Sequence, residues 1–225
     1  MSFLKPFYCL FLFAAVCIAG CAPVETQNVV ESKKVESFGT AYSGPRAPLI
    51  VGKFENRSNY MQGLFSSNVD RLGNQAKTIL NAHLQQTNRF TVMDRENMAE
   101  AAREAKLMGV TQQLKGARYA VTGAVSEFGR KNTGDQQLFG ILGSGKKQTA
   151  YSKVTLNIVD VVSSEIVYSV QGAGEYALNS REVAGFGTRA GYDATLNGKV
   201  LNFAITEAVN NLVRGIEGGA WTPSE

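Results

Sequence analysis

An almost unbroken apolar run from Phe7 to Ala19 opens the chain, and a polar stretch from Pro23 to Ala47 follows it. The run follows Lys5 and is too short and too abruptly ended for a stable transmembrane helix. The polar stretch carries Ser, Lys, Glu, Gly and the prolines Pro23 and Pro45, so it reads as a tether with room for a short strand. Pro48-Leu-Ile-Val-Gly-Lys-Phe54 is a short buried-strand pattern, and Asn56 to Asn68 is a polar loop carrying Tyr60, Met61, Leu64 and Phe65. Val69, Leu72, Ala76, Ile79, Leu80 and Leu84 then recur at three- and four-residue spacing, which predicts a helix with Asn68 as its N-cap. Phe90 to Asp94 predicts a second strand, and Arg95 to Met108, rich in Ala, Glu, Met and Lys, a second helix. A helical turn over Thr111 to Leu114, stopped by Gly116, and a third strand over Arg118 to Val125 complete the first half.

The period then shortens to two. Ala150, Ser152, Val154, Leu156 and Ile158 share one parity, and Tyr151, Lys153, Thr155 and Asn157 take the other. Val161 to Ile166 contains a turn, and Val167 to Val170 begins the partner strand. Leu201, Ala204, Ile205, Ala208, Leu212 and Ile216 lie on one face of a final helix, Gly218-Gly219 stops it, and Trp221-Thr-Pro223 is a tail. This order predicts an α+β domain over residues 48–225, with helices packed on a mixed sheet and two extended β-hairpins, 126–151 and 170–197.

Cysteine placement changes the picture. Cys21 ends the run Ile18-Ala19-Gly20-Cys21, directly after the apolar segment. This arrangement resembles the lipobox of bacterial lipoproteins, which implies a signal peptide over 1–20, lipidation of Cys21, and a tether over 21–47. Ala22 in place of Asp implies the outer membrane over inner-membrane retention. The other reading is an ordinary secretory peptide and a soluble product. Cys9 and Cys17 lie within the signal, so a lipidated mature chain holds no thiol, disulfide or cysteine metal site. His83 is the single histidine, which nearly excludes Ser-His-Asp, Cys-His and multi-histidine metal chemistry; near the end of the first helix it reads as a surface or dipole-complementing residue. The charge of +4 is modest and scattered, which argues against nucleic acid as a partner. Gly140-Ile-Leu-Gly-Ser-Gly-Lys146 lacks Walker spacing and a strand-to-helix context, and the carboxylates are dispersed. An enzyme is not expected, and no cofactor beyond the covalent lipid on Cys21.

The hairpins carry the remaining signal. In the second, Val170, Gly172, Gly174, Tyr176 and Leu178 share one parity on the ascending arm. On the descending arm Ala184, Phe186, Thr188, Ala190, Tyr192, Ala194 and Leu196 do the same, opposite Gly185, Gly187, Arg189, Gly191, Asp193, Thr195 and Asn197. The run is long enough to cross a bilayer, with Phe186, Ala190, Tyr192, Ala194 and Leu196 toward lipid. An amphipathic hairpin packed on its own domain or on a partner alternates in the same way. The first hairpin is a poorer membrane strand, because Arg130 to Gln137 is polar on both faces and only Leu138 to Leu142 suits lipid. A single hairpin cannot span a membrane, so insertion requires several copies closing a ring.

Taken together, Leu49 to Phe54, Leu84 to Arg95, Tyr119 to Val125, Val154 to Val162 and Glu165 to Ser169 resemble the curli production assembly/transport family, the CsgG/HfaB-type outer-membrane lipoproteins. The resemblance implies a ring of identical lipoproteins whose hairpins build a β-barrel, a periplasmic vestibule, and a loop that narrows the channel. Its constriction loop has a Tyr followed by an Asn-Phe pair and a Ser. Tyr60 and Phe65-Ser66 match, and Leu64 replaces the Asn, which would make the constriction drier. Tyr60 and Phe65 would otherwise anchor a surface loop to the core. Two readings follow: a passive export channel for adhesin or fibre subunits, passing unfolded protein cargo across the outer membrane from a lipid-anchored ring, or a periplasmic scaffold that docks accessory envelope lipoproteins without opening a pore.

Overall fold

The computed structural model describes residues 33–60, 70–136, 144–182 and 195–224. Eight elements follow in the order β1 (Ala47–Asn56), α1 (Arg71–Gln86), β2 (Phe90–Val92), α2 (Met98–Leu107), β3 (Tyr119–Gln136), β4 (Ser144–Asp160), β5 (Ile166–Glu182) and α3 (Thr195–Glu217). The strands form one mixed sheet in the order β2-β1-β3-β4-β5. β1 is parallel to both β2 and β3, and β3, β4 and β5 make an antiparallel meander. The α+β class and the helices on a mixed sheet are as the alternation and periodicity predict.

α1 and α3 lie together on one face of the sheet. The predicted stripe of α1 is the one it buries: Leu72, Ala76, Leu80 and Leu84. On α3, Leu201, Ala204, Ile205, Ala208 and Leu212 are fully buried, and Val200 and Val209 join them, so this helix buries a wide apolar face. From the sheet, Val121, Val125, Ala150, Val154, Leu156 and Ile158 complete the core. A fully buried side chain of this size contributes about 1.5–3 kcal/mol by leaving water.

α3 comes unusually close to β5, and two glycines allow it. A Cβ on Gly172 would stand 2.2 Å from the Ala204 carbonyl oxygen and 2.3 Å from the Ala208 nitrogen. At Gly174 it would stand 2.7 Å from the Ala204 nitrogen and the Val200 carbonyl oxygen. No side chain fits, so strand and helix backbones pack directly on one another. The parity of Val170, Gly172, Gly174 and Tyr176, read from sequence as a membrane face, is therefore the face that α3 covers.

Other boundaries shift for local reasons. The N-cap of α1 is Asp70, whose Oδ1 accepts from the Gly73 N–H at 2.7 Å, and not Asn68. α2 begins at Met98, because Asp94 Oδ1 accepts from the N–H groups of Glu96 and Asn97 and holds them in a turn. Gly109, at φ +73°, ends that helix, and residues 110–117 form neither helix nor strand where a helical turn was expected. The strap 33–46 is docked and not a free tether: Val35 enters the core, the Glu36 N–H donates to Asn210 Oδ1 at 3.0 Å, and Arg214 pairs with Glu36. The tail also packs, with Trp221 edge-on to Tyr119 and stacked on Tyr168.

His83 corrects the surface reading. It is buried between α1 and α3, with Nε2 2.8 Å from Asn202 Oδ1 and 3.1 Å from Thr206 Oγ1. The Thr206 hydroxyl also donates to the Asn202 carbonyl at 2.7 Å. The ring ties the two helices.

Asp160 closes the β4–β5 turn. Its carboxyl is held below the usual carboxylate value, first by the Ser163 N–H, against the opposing effect of burial, then by the Val162 N–H and the Arg118 guanidinium. A depressed folded pKa stabilises the protein above the unfolded value of 3.8, and that contribution disappears as pH falls through the folded value. In acid titrations followed by circular dichroism, Asp160→Asn should be less stable than wild type at neutral pH, with the gap shrinking below pH 3.8. Separately, Gly172→Val should force α3 off β5, costing about 1–3 kcal/mol or more, read as a drop in Tm of about 2–4 °C per kcal/mol.

Candidate functional site

The loop that follows β1 is stitched at its neck. The Asn56 N–H donates to Asp70 Oδ2 at 2.7 Å, and Asn56 Nδ2 donates to the Tyr60 carbonyl at 2.9 Å. Asn56 Oδ1 accepts from the Ser58 N–H at 3.0 Å and from its hydroxyl at 2.6 Å. Asp70 thus caps α1 with one oxygen and holds the start of the loop with the other. Gly73 makes this possible, since a Cβ there would meet the Asp70 carboxylate and the Phe54 carbonyl within 2.5 Å.

Tyr60 ends the described part of this loop. Its ring lies 4.6 Å from that of Phe128 on β3, tilted by 46°. Its hydroxyl accepts from Asn197 Nδ2 at 2.8 Å. Asn197 Oδ1 in turn accepts from Arg130 Nε at 3.0 Å and Nη2 at 2.7 Å. Arg130 can only donate, which fixes the orientation of the Asn197 amide. One cluster therefore joins the loop, β3 and the first turn of α3.

This cluster marks the level at which the sheet leaves the domain. Pairing of β1 with β3 ends at Asn56↔Val125, and a bulge follows between Val125 and Glu127. Above it β3, β4 and β5 continue alone as a ribbon, with matched rows from Arg130–Ala150–Tyr176 to Gln136–Ser144–Glu182. Among the described residues no strand pairs with the outer edge of β3 over Glu127–Gln136 or with that of β5. On β5 the Gln171 carbonyl is capped by Asn211 Nδ2 at 2.8 Å. The strap enters at the same level: Lys33 sits over the Phe203 ring at 5.8 Å, and Phe203 contacts Tyr176. From there the strap runs along α3 toward its C-terminal end, where Arg89 bonds Thr40 Oγ1 at 2.7 Å.

Residues 33–224 match the family model described as "Curli production assembly/transport component CsgG". The chain belongs to the CsgG family. It is 59% identical over 211 residues, 94% of each chain, to "Putative lipoprotein NMB1126/NMB1164" of Neisseria meningitidis serogroup B. Among solved structures it is similar to a PelC dodecamer from Paraburkholderia phytofirmans, at 18% identity and a TM-score of 0.34, covering 75% of this chain and 93% of that one. It is also similar to lipoprotein GNA1162 from Neisseria meningitidis, at 16% identity and a TM-score of 0.36, covering 77% and 99%. Both superpositions are loose.

Of the residues singled out from sequence, the structure places Tyr60 in the cluster just described. Cys21, Leu64, Phe65, Phe186, Ala190, Tyr192 and Ala194 lie outside the described residues. Leu196 is helical, in the first turn of α3, and not at the end of a descending strand. Phe128, Arg130 and Asn197 were not singled out as a site, although Phe128 breaks a polar stretch at the root of the first hairpin. Among the described residues no group of three His, Cys, Asp or Glu side chains could hold a metal ion, and no helix is long and apolar enough to cross a membrane.

The cluster should behave as one unit. Asn197→Ala removes the bridge and should cost about 1–3 kcal/mol, whereas Tyr60→Phe keeps the ring contact and should cost about 1 kcal/mol or less. Urea titration of both variants and of the double variant checks this, and the double variant should fall short of the sum.

Proposed function

We propose that this CsgG-family chain is a lipid-anchored outer-membrane component, on the periplasmic face, that assembles into a ring of identical copies and passes an unfolded adhesin or fibre subunit without hydrolysis. The observation that carries the reading is the three-stranded ribbon, on whose two outer edges no strand pairs among the described residues, standing where the strap leaves the domain. Unpaired strand edges invite pairing with another chain, and a ring satisfies both edges of every copy. Family membership supports assembly and transport as the role.

The strap gives the ribbon an orientation. The chain leaves the domain at Lys33, beside the ribbon's root. Cys21 lies twelve positions earlier, within about 40 Å at full extension. On this reading lipidated Cys21 holds the ribbon end toward the membrane. Tyr60 is the fixed end of the constriction loop that also carries Leu64 and Phe65, held by Phe128 and Asn197 while the loop spans from Asn56 to Asp70. Phe186, Ala190, Tyr192 and Ala194 are assigned to the membrane rim of the ring.

Electron microscopy of the detergent-extracted lipidated protein should show closed rings with a central channel. Monomers or irregular clusters would instead favour the scaffold reading, with the ribbon as a partner-binding arm. Cys21→Ser should move the protein from the membrane to the soluble fraction; retention there would sink the lipid anchor.

A further inference from the structure

A cavity of about 180 Å³ lies where the strap crosses the C-terminal half of α3. Ser37 and Thr40 line it from the strap, Asn210, Val213 and Glu217 from the helix, and Arg89 from the turn before β2. Ser37 is 6% exposed, and its hydroxyl has no hydrogen-bond partner among the described residues. A buried hydroxyl is normally bonded, so one left open on a cavity is a point of attachment for a guest. Asn210, 3% exposed, commits its Oδ1 to the Glu36 N–H at 3.0 Å, which leaves the N–H groups of its Nδ2 to other partners.

The charges around this cavity balance. Arg89, 5% exposed, gives Nε and Nη2 to Glu217 Oε1, and Nη1 to Thr40 Oγ1 and the Thr87 carbonyl. Four of its five N–H groups are used in this way. Both bonds to Glu217 fall on Oε1, so Oε2 is the open acceptor on that side. Arg214 is likewise paired with Glu36. A free anion would have to compete with Glu217 for a buried guanidinium, and a free cation would draw Glu217 away and strand that guanidinium's charge. A molecule without net charge, with an acceptor at one end and a donor at the other, disturbs neither pair. An apolar cavity of about 150 Å³ takes benzene, so this one suits a ligand of about six to eight heavy atoms.

We infer that the seam between strap and α3 is a binding site for a small zwitterionic α-amino acid, the size of alanine or serine. The carboxylate takes the Ser37 hydroxyl, the Asn210 Nδ2 donors and the remaining Arg89 N–H. The ammonium takes Glu217 Oε2, and the short side chain lies against Val213. Ser37 belongs to the strap and the other groups to the body of the domain, so an occupied site ties the strap down. All of the lining comes from one copy, so the site does not depend on the proposed ring.

The test is calorimetry and ligand-detected saturation-transfer NMR on the full-length lipidated protein in detergent. Alanine and serine are the probes, and acetate and ethylamine are half-ligands that each carry one of the two charges. The expected result is saturable binding of alanine that serine displaces, with each half-ligand weaker by about tenfold or more. Ser37→Ala should weaken alanine binding about three- to tenfold, while Tm holds or rises, because the hydroxyl has no protein partner to lose. Amide exchange over residues 36–40 should slow when alanine saturates the protein. Acetate binding as tightly as alanine would overturn the zwitterion in favour of a simple anion. No saturable binding of either amino acid, or full alanine binding by Ser37→Ala with exchange over 36–40 unchanged, would overturn the site itself.

Discussion

The direct contact of the α3 backbone with the β5 backbone at Gly172 and Gly174 is the constraint on which the rest of this molecule depends. Because the helix sits so deep, its remaining surfaces are free to be buried by others. α1 covers one flank and is tied across it by His83 to Asn202 and Thr206. The strap covers another, through Val35, Asn210 and Arg214. At the C-terminal end Trp221 closes over Tyr119 and Tyr168, and at the N-terminal end Asn197 arrives beside Tyr60 and Arg130. A helix displaced outward by one side chain would misalign the polar contacts at its first turn, where a hydrogen bond tolerates only a few tenths of an ångström.

Above Arg130 the chemistry changes. The domain is held by apolar burial, and the ribbon by backbone pairing between strands whose residues are mostly polar. A ribbon of this kind has little hydrophobic area to stabilise it alone. Its root is correspondingly reinforced, by Phe128 packed on Tyr60, by Ala150 in the core, and by the Asn197–Arg130 contact. Charged residues along it also discourage indiscriminate edge pairing, and Asn211 blunts the β5 edge where it passes the domain. On the proposed reading, the polar character of the ribbon keeps these edges from pairing before a copy meets its own kind.

Much of this architecture was legible in the sequence, because period and burial are directly linked. The even-numbered residues from Ala150 to Ile158 alternate as they do since one face of β4 is buried, and the spacing of Leu72 to Leu84 is the buried stripe of α1. What escaped depended on partners far away in the chain. Gly172 and Gly174 looked like small members of a membrane strand; nothing local says that a helix thirty residues later lies on them. A lone His83 looked superficial because its burial is made possible by Asn202 and Thr206. The strap looked like a tether because its composition is polar, yet Val35 and Glu36 suffice to dock it. The cluster around Tyr60 was half visible: the loop aromatic could be singled out, but Phe128 and Asn197 come from elements with no sequence relation to it.

The two outer edges of the ribbon, unpaired among the described residues, are different surfaces, and this difference constrains any assembly they make. The edge of β3 over Glu127–Gln136 cannot be joined to the edge of β5 by a twofold axis that exchanges like for like. A contact between them would be heterologous, and such contacts build either closed rings or open helical filaments. A filament would carry successive copies away from the membrane along its axis. On the proposed reading each copy is tied to one plane by a tether of about 40 Å at most, and the tether leaves every domain at the same place, beside Phe203. Repeated rotation without translation is then the arrangement that keeps every anchor in the plane, and it returns to its starting point. On the proposed reading the docked strap therefore matters beyond the stability of one domain: by fixing where the anchor departs, it would favour closure over extension.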